Sequence, residues 1–198
     1  MKLSNLWKSL LAIWTVAAVP GALAADPQVD IKTNVGTLRL TLYPEKAPKT
    51  VENFLHYVKD GHYDGTVFHR VIDGFMIQGG GFDNAFHQKP TRPPIANEAR
   101  AGVEAGLKNT PGSIAMARTA NPDSATAQFF INVSDNGFLN WGDPRGDGHG
   151  YAVFGQVVSG MDVLNKIAKT PTGPGGPFPG DVPKSRVVIE SIRVVTAQ

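Results

Sequence analysis

The side chains that most often carry chemistry are sparse in this sequence, and few are spaced for it. Among 198 residues there is no cysteine, which excludes thiol catalysis, thiol redox chemistry and Cys-based zinc sites. His56, His62, His69, His87 and His149 show no zinc spacing, and His62 and His69 are seven residues apart. Asp143, Asp147 and His149 share the Gly-rich segment 142–150 but do not follow the twelve-residue EF-hand pattern. Arg145-Gly146-Asp147 reads as part of a turn. Gly79-Gly80-Gly81 is not followed by the Gly-Lys-Ser/Thr of a phosphate cradle, and there is no Gly-x-Ser-x-Gly elbow for a serine hydrolase. No metal and no cofactor is expected. Taken one at a time, Arg70 reads as a solvated strand charge, Gln78 and Gln128 as surface amides, and Phe75, Met76 and Phe130 as core.

The elements that must hold these residues are mostly short strands. Val29–Asn34 and Thr37–Tyr43 alternate around Asn34-Val35-Gly36, as a hairpin does. Pro48 then opens a helix whose Val51, Phe54, Leu55 and Val58 share a face, with Gly61 at its end. Val67–Ile72 and Phe75–Gln78 flank Asp73-Gly74, a strong hairpin signal. About Gly79 to Thr110 the chain is rich in Gly, Pro and Asn and has little periodicity. Further strands fit Ser113–Met116, Phe129–Val133, Val153–Val158 and Arg186–Val195. A second helix fits Met161, Leu164, Ile167 and Ala168, and Pro171–Pro183 reads as a turn-rich loop. Phe54, Phe68, Phe129 and Phe154 are assigned to the core. Many strands with two helices predict a mostly β, antiparallel barrel or sandwich without repeat or linker.

The first residues have a different character. Lys2 and Lys8 precede the apolar run Leu10–Val19, Pro20-Gly21 and the small-residue triplet Ala22-Leu23-Ala24. That is the layout of an export signal cleaved after Ala24, which makes residues 25–198 one mature domain. The run is short of the roughly 20 residues a bilayer span needs, so no stable membrane association is expected after cleavage. Cleavage removes two lysines and no acid, leaving acidic and basic side chains balanced. No basic stripe argues for nucleic acid. Nothing signals oligomerisation, so a monomer is expected.

Three segments are more distinctive. They are Phe68-His69-Arg70-Val71-Ile72-Asp73-Gly74-Phe75-Met76-Ile77-Gln78-Gly79-Gly80-Gly81-Phe82; Pro111–Arg118 continuing to Ala127-Gln128-Phe129-Phe130-Ile131; and Val153-Phe154-Gly155-Gln156-Val157 with Gly160–Leu164. In this order, from about Val29 to the C-terminus, they resemble the cyclophilin family, and the departures below resemble its bacterial, periplasmic branch. The resemblance implies an eight-stranded antiparallel closed β-barrel capped by two α-helices, with a groove on the barrel's outer face. It implies peptidyl-prolyl cis-trans isomerase activity on proline-containing unfolded or loop segments of exported proteins, and a periplasmic location. It places Arg70, Phe75 and Gln78 in the catalytic set. Along the peptide groove it places Met76, Ala117, Arg118, Gln128, Phe130, Phe138, Leu139 and Tyr151. Phe138 stands where many members have tryptophan, which argues against tight binding of cyclosporin. Tyr151 stands where many have histidine. Arg118 replaces a common asparagine whose contact is largely through backbone, so little loss is expected there. The segment Trp141–Gly150 is a longer loop than usual.

These residues suit the implied reaction. Rotation about X-Pro breaks amide resonance, with a barrier of about 18–20 kcal/mol, but it makes and breaks no bond, so neither nucleophile nor metal is needed. In the twisted state the proline nitrogen regains its lone pair and accepts a hydrogen bond better than either planar isomer. A donor aimed there binds the transition state selectively. Arg70, always protonated, is the candidate donor. Phe75, Met76, Phe130 and Leu139 would enclose the proline ring, and Gln78 and the Ala117 backbone would hold the peptide. The competing reading is a proline-peptide-binding chaperone or assembly module in which turnover is incidental.

Overall fold

A computed structural model describes residues 26–195; the expected export signal, 1–24, lies outside the described residues. Strand β1 (Gln28–Thr33) buries Val29, Ile31 and Thr33, and β2 (Gly36–Leu42) buries Leu38, Leu40 and Leu42. This period-2 pattern turns one face of the hairpin inward. The turn is locked by the Thr33 hydroxyl, which accepts from the amides of Val35 and Gly36.

Helix α1 (Pro48–Lys59) starts at proline, whose missing N–H is one of the first-turn orphans anyway. Ala47 at its N-cap offers no side-chain acceptor, and the Glu98 carboxylate supplies one from afar. It accepts from the backbone amides of Lys49 and Thr50, at 3.1 and 2.8 Å, and from the Thr50 hydroxyl at 2.7 Å. A carboxylate there is favoured by both the unpaired amides and the helix dipole.

The chain continues through β3 (Thr66–Ile72), β4 (Met76–Asp83), α2 (Ala99–Glu104), β5 (Ser113–Met116), β6 (Phe129–Asn132) and a 3₁₀ turn at Gly137–Leu139. It ends with β7 (Val153–Ser159), α3 (Met161–Ala168), β8 (Thr172–Gly175), β9 (Phe178–Pro183) and β10 (Val188–Val194). Eight strands close an antiparallel barrel in the order β1-β10-β3-β4-β6-β5-β7-β2. Helix α1 leaves from the far end of β2. Helix α3 packs at its near end, where Val163 lies over Gly36. The two helices therefore stopper opposite ends, as expected.

Three elements differ from what the sequence predicts: β4 runs on from Gln78 to Asp83 through residues expected to be irregular, and two more follow. The stretch 171–183 is a two-stranded ladder, β8–β9, rather than a turn-rich loop. The irregular stretch 79–110 holds a third helix, α2, of six residues. These two are held by tertiary docking rather than by local propensity: in Thr-Gly-Pro-Gly only Thr172 favours a strand, and α2 is too short to display a helical period.

The interior is aromatic. Phe129 meets Phe54, Tyr63 and Phe68 edge-on at 5.8, 5.5 and 6.1 Å, the arrangement ring quadrupoles favour. These rings explain Gly79-Gly80-Gly81. A Cβ on Gly79 would lie 2.9 Å from the Phe68 ring, and one on Gly80 would lie 2.8 Å from Tyr63. A Cβ on Gly81 would meet the Gln128 side chain. The triplet is a packing requirement of the barrel wall.

Candidate active site

The alternation that fills the barrel also builds its outer face. Ile77 of β4, Ile114 of β5, Ile131 of β6 and Phe154 of β7 point into the main core. Their neighbours Met76, Ala115, Phe130 and Val153 point outward and form a second apolar cluster with Phe75, Ala117, Leu139 and Tyr151.

Arg70 reaches this face through a β-bulge. Phe68 pairs with Gly79 and Arg70 with Gln78, so β3 spends one extra residue, His69, against β4. In an unbulged strand Phe68 and Arg70 would share a face, because the side-chain period is two. The bulge lets Phe68 enter the core while Arg70 stays outside, a known use of bulges beside active sites. His69 lies against Phe82 and Phe178, with ring centroids at 4.7 and 5.3 Å.

A pocket of about 120 Å³ opens on the outer face, lined by Arg70, Phe75, Met76, Gln78, Ala117, Arg118, Phe130, Leu139 and Tyr151. The remaining residues expected at the groove sit beside it. Gln128 lines an adjoining cleft of about 310 Å³ with Gln78, Thr119, Ser124 and Thr126. Phe138, partly exposed, stacks on Phe75 at 5.8 Å. Along the rim, Gln78 Nε2 donates to Gln128 Oε1 at 3.0 Å, and Arg70 Nη1 approaches Gln78 Oε1 at 3.5 Å. The pocket wall carries no carboxylate, imidazole or thiol. Its means are shape, an apolar floor and a fixed cation at the rim.

Behind the pocket lies an amide network that the sequence reading did not single out. Asn132 Nδ2 donates to Asn109 Oδ1 and to the Ser113 hydroxyl, and Asn136 Nδ2 donates to Asn132 Oδ1 and to the Phe75 carbonyl. Asn109 Nδ2 donates to the Leu139 carbonyl. Buried amides satisfied in this way rigidify their surroundings, and here they fix the backbone of Phe75 and Leu139. An asparagine ending an otherwise apolar strand, Phe-Phe-Ile-Asn, was the available signal.

Arg118, expected along the groove, lines the pocket. Its side chain is engaged, at only 2% exposure. The guanidinium donates to the Gly150 carbonyl through Nε and Nη2 at 3.0 and 2.9 Å, to the Thr119 carbonyl at 3.0 Å and to Asp147 at 2.6 Å. It also lies 4.2 Å from the centre of the Tyr151 ring, whose edge meets Phe130. The replacements at 118 and 151 are one unit: the arginine stacks on the tyrosine and ties the 142–150 loop to the pocket wall. Asp147 also accepts from the amides of His149 and Gly150. Asp143 is held by the Arg145 guanidinium, first through its side-chain hydrogen bonds, at about 2. Asp143 serves the loop's own structure, and Asp147 serves both the loop and its tie to Arg118. Lysine cannot reproduce a planar fork stacked on a ring. Arg118→Lys is expected to raise KM about fivefold with kcat within about twofold, measured by steady-state kinetics with a parallel thermal melt.

Burial lowers the His69 pKa to about 4, and its Nδ1 has no hydrogen-bond partner. In the unfolded chain the ring titrates near 6.5. Between those values the unfolded state takes up a proton and the folded state does not. His69 therefore makes stability fall as pH drops from about 6.5 to about 4, and adds no further loss below. The full effect is on the order of 3 kcal/mol. Urea unfolding at pH 7, 5.5 and 4 should show a shallower decline in His69→Phe than in the wild type.

Comparison with known proteins agrees with this architecture. The family model described as cyclophilin type peptidyl-prolyl cis-trans isomerase/CLD matches residues 28–194. Peptidyl-prolyl cis-trans isomerase B of Escherichia coli (strain K12) is 54% identical over 166 residues, covering 84% of this chain and 98% of the relative. Peptidyl-prolyl cis-trans isomerase A of Dickeya dadantii is 46% identical over 189 residues, covering 94% of this chain and 95% of the relative. A crystal structure of a Cryptosporidium parvum cyclophilin type isomerase, obtained in the presence of the dipeptide Ala-Pro, superposes with TM-score 0.66 at 27% identity, over 86% of this chain and 99% of that one. The barrel, the outer groove and these matches define one class of enzyme. The chain belongs to the cyclophilin family and is a peptidyl-prolyl cis-trans isomerase.

Proposed function

We propose that this isomerase acts on X-Pro bonds of exported proteins in the periplasm, with Arg70 as the donor to the twisting proline nitrogen. The observation that carries the mechanism is a guanidinium, turned outward by the His69 bulge, at the rim of an apolar pocket of about 120 Å³. The proline ring enters that pocket against Phe75, Met76, Phe130 and Leu139. Water excluded by these side chains strengthens the Arg70 contact, because a donor in a less polar setting gains more from developing basicity. Gln78 and Gln128, bonded to each other, hold the peptide backbone while the far side rotates. A thousandfold acceleration requires only about 4 kcal/mol of differential binding, and one hydrogen bond from a charged donor supplies roughly 1.5–3 of that. The Ala-Pro dipeptide used with the Cryptosporidium parvum protein supports a small residue before proline as the first substrate to try.

Export is supported by the basic, apolar and Ala-x-Ala sequence of residues 1–24. Two measurements test the reading. Conversion of a short Ala-Pro peptide from cis to trans should accelerate with added protein; a folded chain that leaves the rate unchanged ends it. Fractionation of cells making the full chain should place a form beginning near Ala25 in the periplasm, whereas an unprocessed chain in the cytoplasm rules out export.

A further inference from the structure

The β8–β9 hairpin stands outside the barrel as a separate two-stranded sheet. It is docked firmly on β3 and β4. Phe178 packs edge-on against Phe82 and Phe86, at 5.1 and 5.7 Å, and Val182 is buried beside Val67 and Phe86. Among the described residues two non-glycine positions have left-handed backbone, Phe86 with φ 66° and Asp181 with φ 62°, and both belong to this docking. A bulky residue at positive φ is an uncommon and costly conformation, and strain of this kind persists where the surroundings over-determine it, often beside functional groups. Phe86 lies under Gly176. Asp181, between Gly180 and the buried Val182, stands at the hairpin's inner side and reaches Arg70, with Oδ2 at 3.7 Å from Arg70 Nε.

Arg70 is thus approached on two sides. Nε faces Asp181, Nη1 faces Gln78 Oε1 at 3.5 Å, and Gln78 is tied to Gln128. Nη2 carries no protein hydrogen bond among the described residues. A guanidinium is planar, so fixing Nε and Nη1 fixes the direction of the third nitrogen.

We propose that Asp181 is a positioning residue for the isomerisation: it orients the Arg70 guanidinium toward the pocket, and the β8–β9 hairpin exists in this fold to carry it. The proposal rests on the Arg70 mechanism above. Asp181 touches no substrate. It reduces the rotamer freedom that a partly exposed arginine would otherwise lose on reaching the transition state, so its effect falls on kcat.

The test uses Asp181→Asn, which keeps an acceptor, and Asp181→Gly, which keeps the left-handed backbone and removes the acceptor. Both are compared with the wild type in peptide isomerisation and in the ¹H–¹⁵N signal of Arg70 Nε–H, assigned by its disappearance in Arg70→Lys. In Asp181→Gly, kcat should fall about fivefold with KM within about twofold, and the Nε–H signal should shift. Asp181→Asn should recover part of both. An unchanged kcat, a loss confined to KM, or an unmoved Nε–H signal in Asp181→Gly overturns the proposal. A wild type without isomerase activity would instead refute the proposed mechanism, and the Nε–H signal would still report whether Asp181 orients Arg70.

Discussion

Replacing Arg70 by alanine is expected to lower kcat/KM for an Ala-Pro peptide by roughly one to two orders of magnitude, the worth of a charged hydrogen bond made in the transition state. The loss should appear in kcat. In the proposed mechanism Arg70 donates to a nitrogen that accepts well only when the amide is twisted, so the planar ground states would lose little binding. The fold should be unaffected: the Arg70 side chain is 45% exposed, and its ion pair with Asp181 is a surface pair of small worth. Arg70→Lys should fall between the two proteins, because lysine keeps the charge without the planar fork. Isomerisation kinetics beside a thermal melt separate these effects. Wild-type turnover in a well-folded Arg70→Ala would move the catalysis from the guanidinium to the groove, whose shape would then favour the twisted peptide unaided. Such a protein would come closer to the binding-module reading of its sequence.

Gly80→Ala should be the most destabilising of the changes considered. The backbone at Gly80 has φ 85°, which costs an L-residue roughly 1–2 kcal/mol. The added methyl would also stand 2.8 Å from Tyr63 and 3.0 Å from Phe129. Neither ring has room to retreat: both are buried to within 1% and braced by Phe54. Overpacking of this kind costs about 1–3 kcal/mol, and the sum is a large share of the ~5–15 kcal/mol that holds a typical domain together. Gly74→Ala is the control. It sits at φ 69° in the β3–β4 turn with nothing within 4 Å of a new methyl, so it carries the conformational cost alone. Urea midpoints at constant m-value should rank wild type, Gly74→Ala and Gly80→Ala in falling order. Equal midpoints for the two variants would mean that the ring cluster yields, contrary to its packing.

Much of the barrel was legible because its signals are local. Alternation in β1 and β2, the Asp73-Gly74 turn and the spacing of Val51, Phe54 and Val58 each depend on neighbours a few residues away. The candidate site is suggested by resemblance more than by chemistry, since a lone arginine, two glutamines and a few apolar side chains have many ordinary uses. What escaped is non-local. Val-Phe-His-Arg-Val-Ile reads as a regular strand with Phe68 and Arg70 on one face, and only pairing with β4 reveals the bulge that parts them. Thr-Gly-Pro-Gly forms a strand because Phe178 and Val182 anchor the hairpin it belongs to. Arg118 and Tyr151 look like separate replacements in the sequence, although 33 positions apart they stack as a pair. The Glu98 cap of α1 comes from 48 residues away, beyond any capping-box pattern.

The closure of the barrel also removes the edges at which a sheet can recruit another chain. Each of its eight strands has a hydrogen-bonded neighbour on both sides, β1 joining β10 to β2. Incompletely folded chains expose unpaired strands that template further pairing wherever a sheet ends. This barrel presents no such end. Among the described residues the open strand edges are those of the short β8–β9 ladder outside the barrel. The wall that carries Arg70 thus belongs to a main sheet that offers no edge to extend.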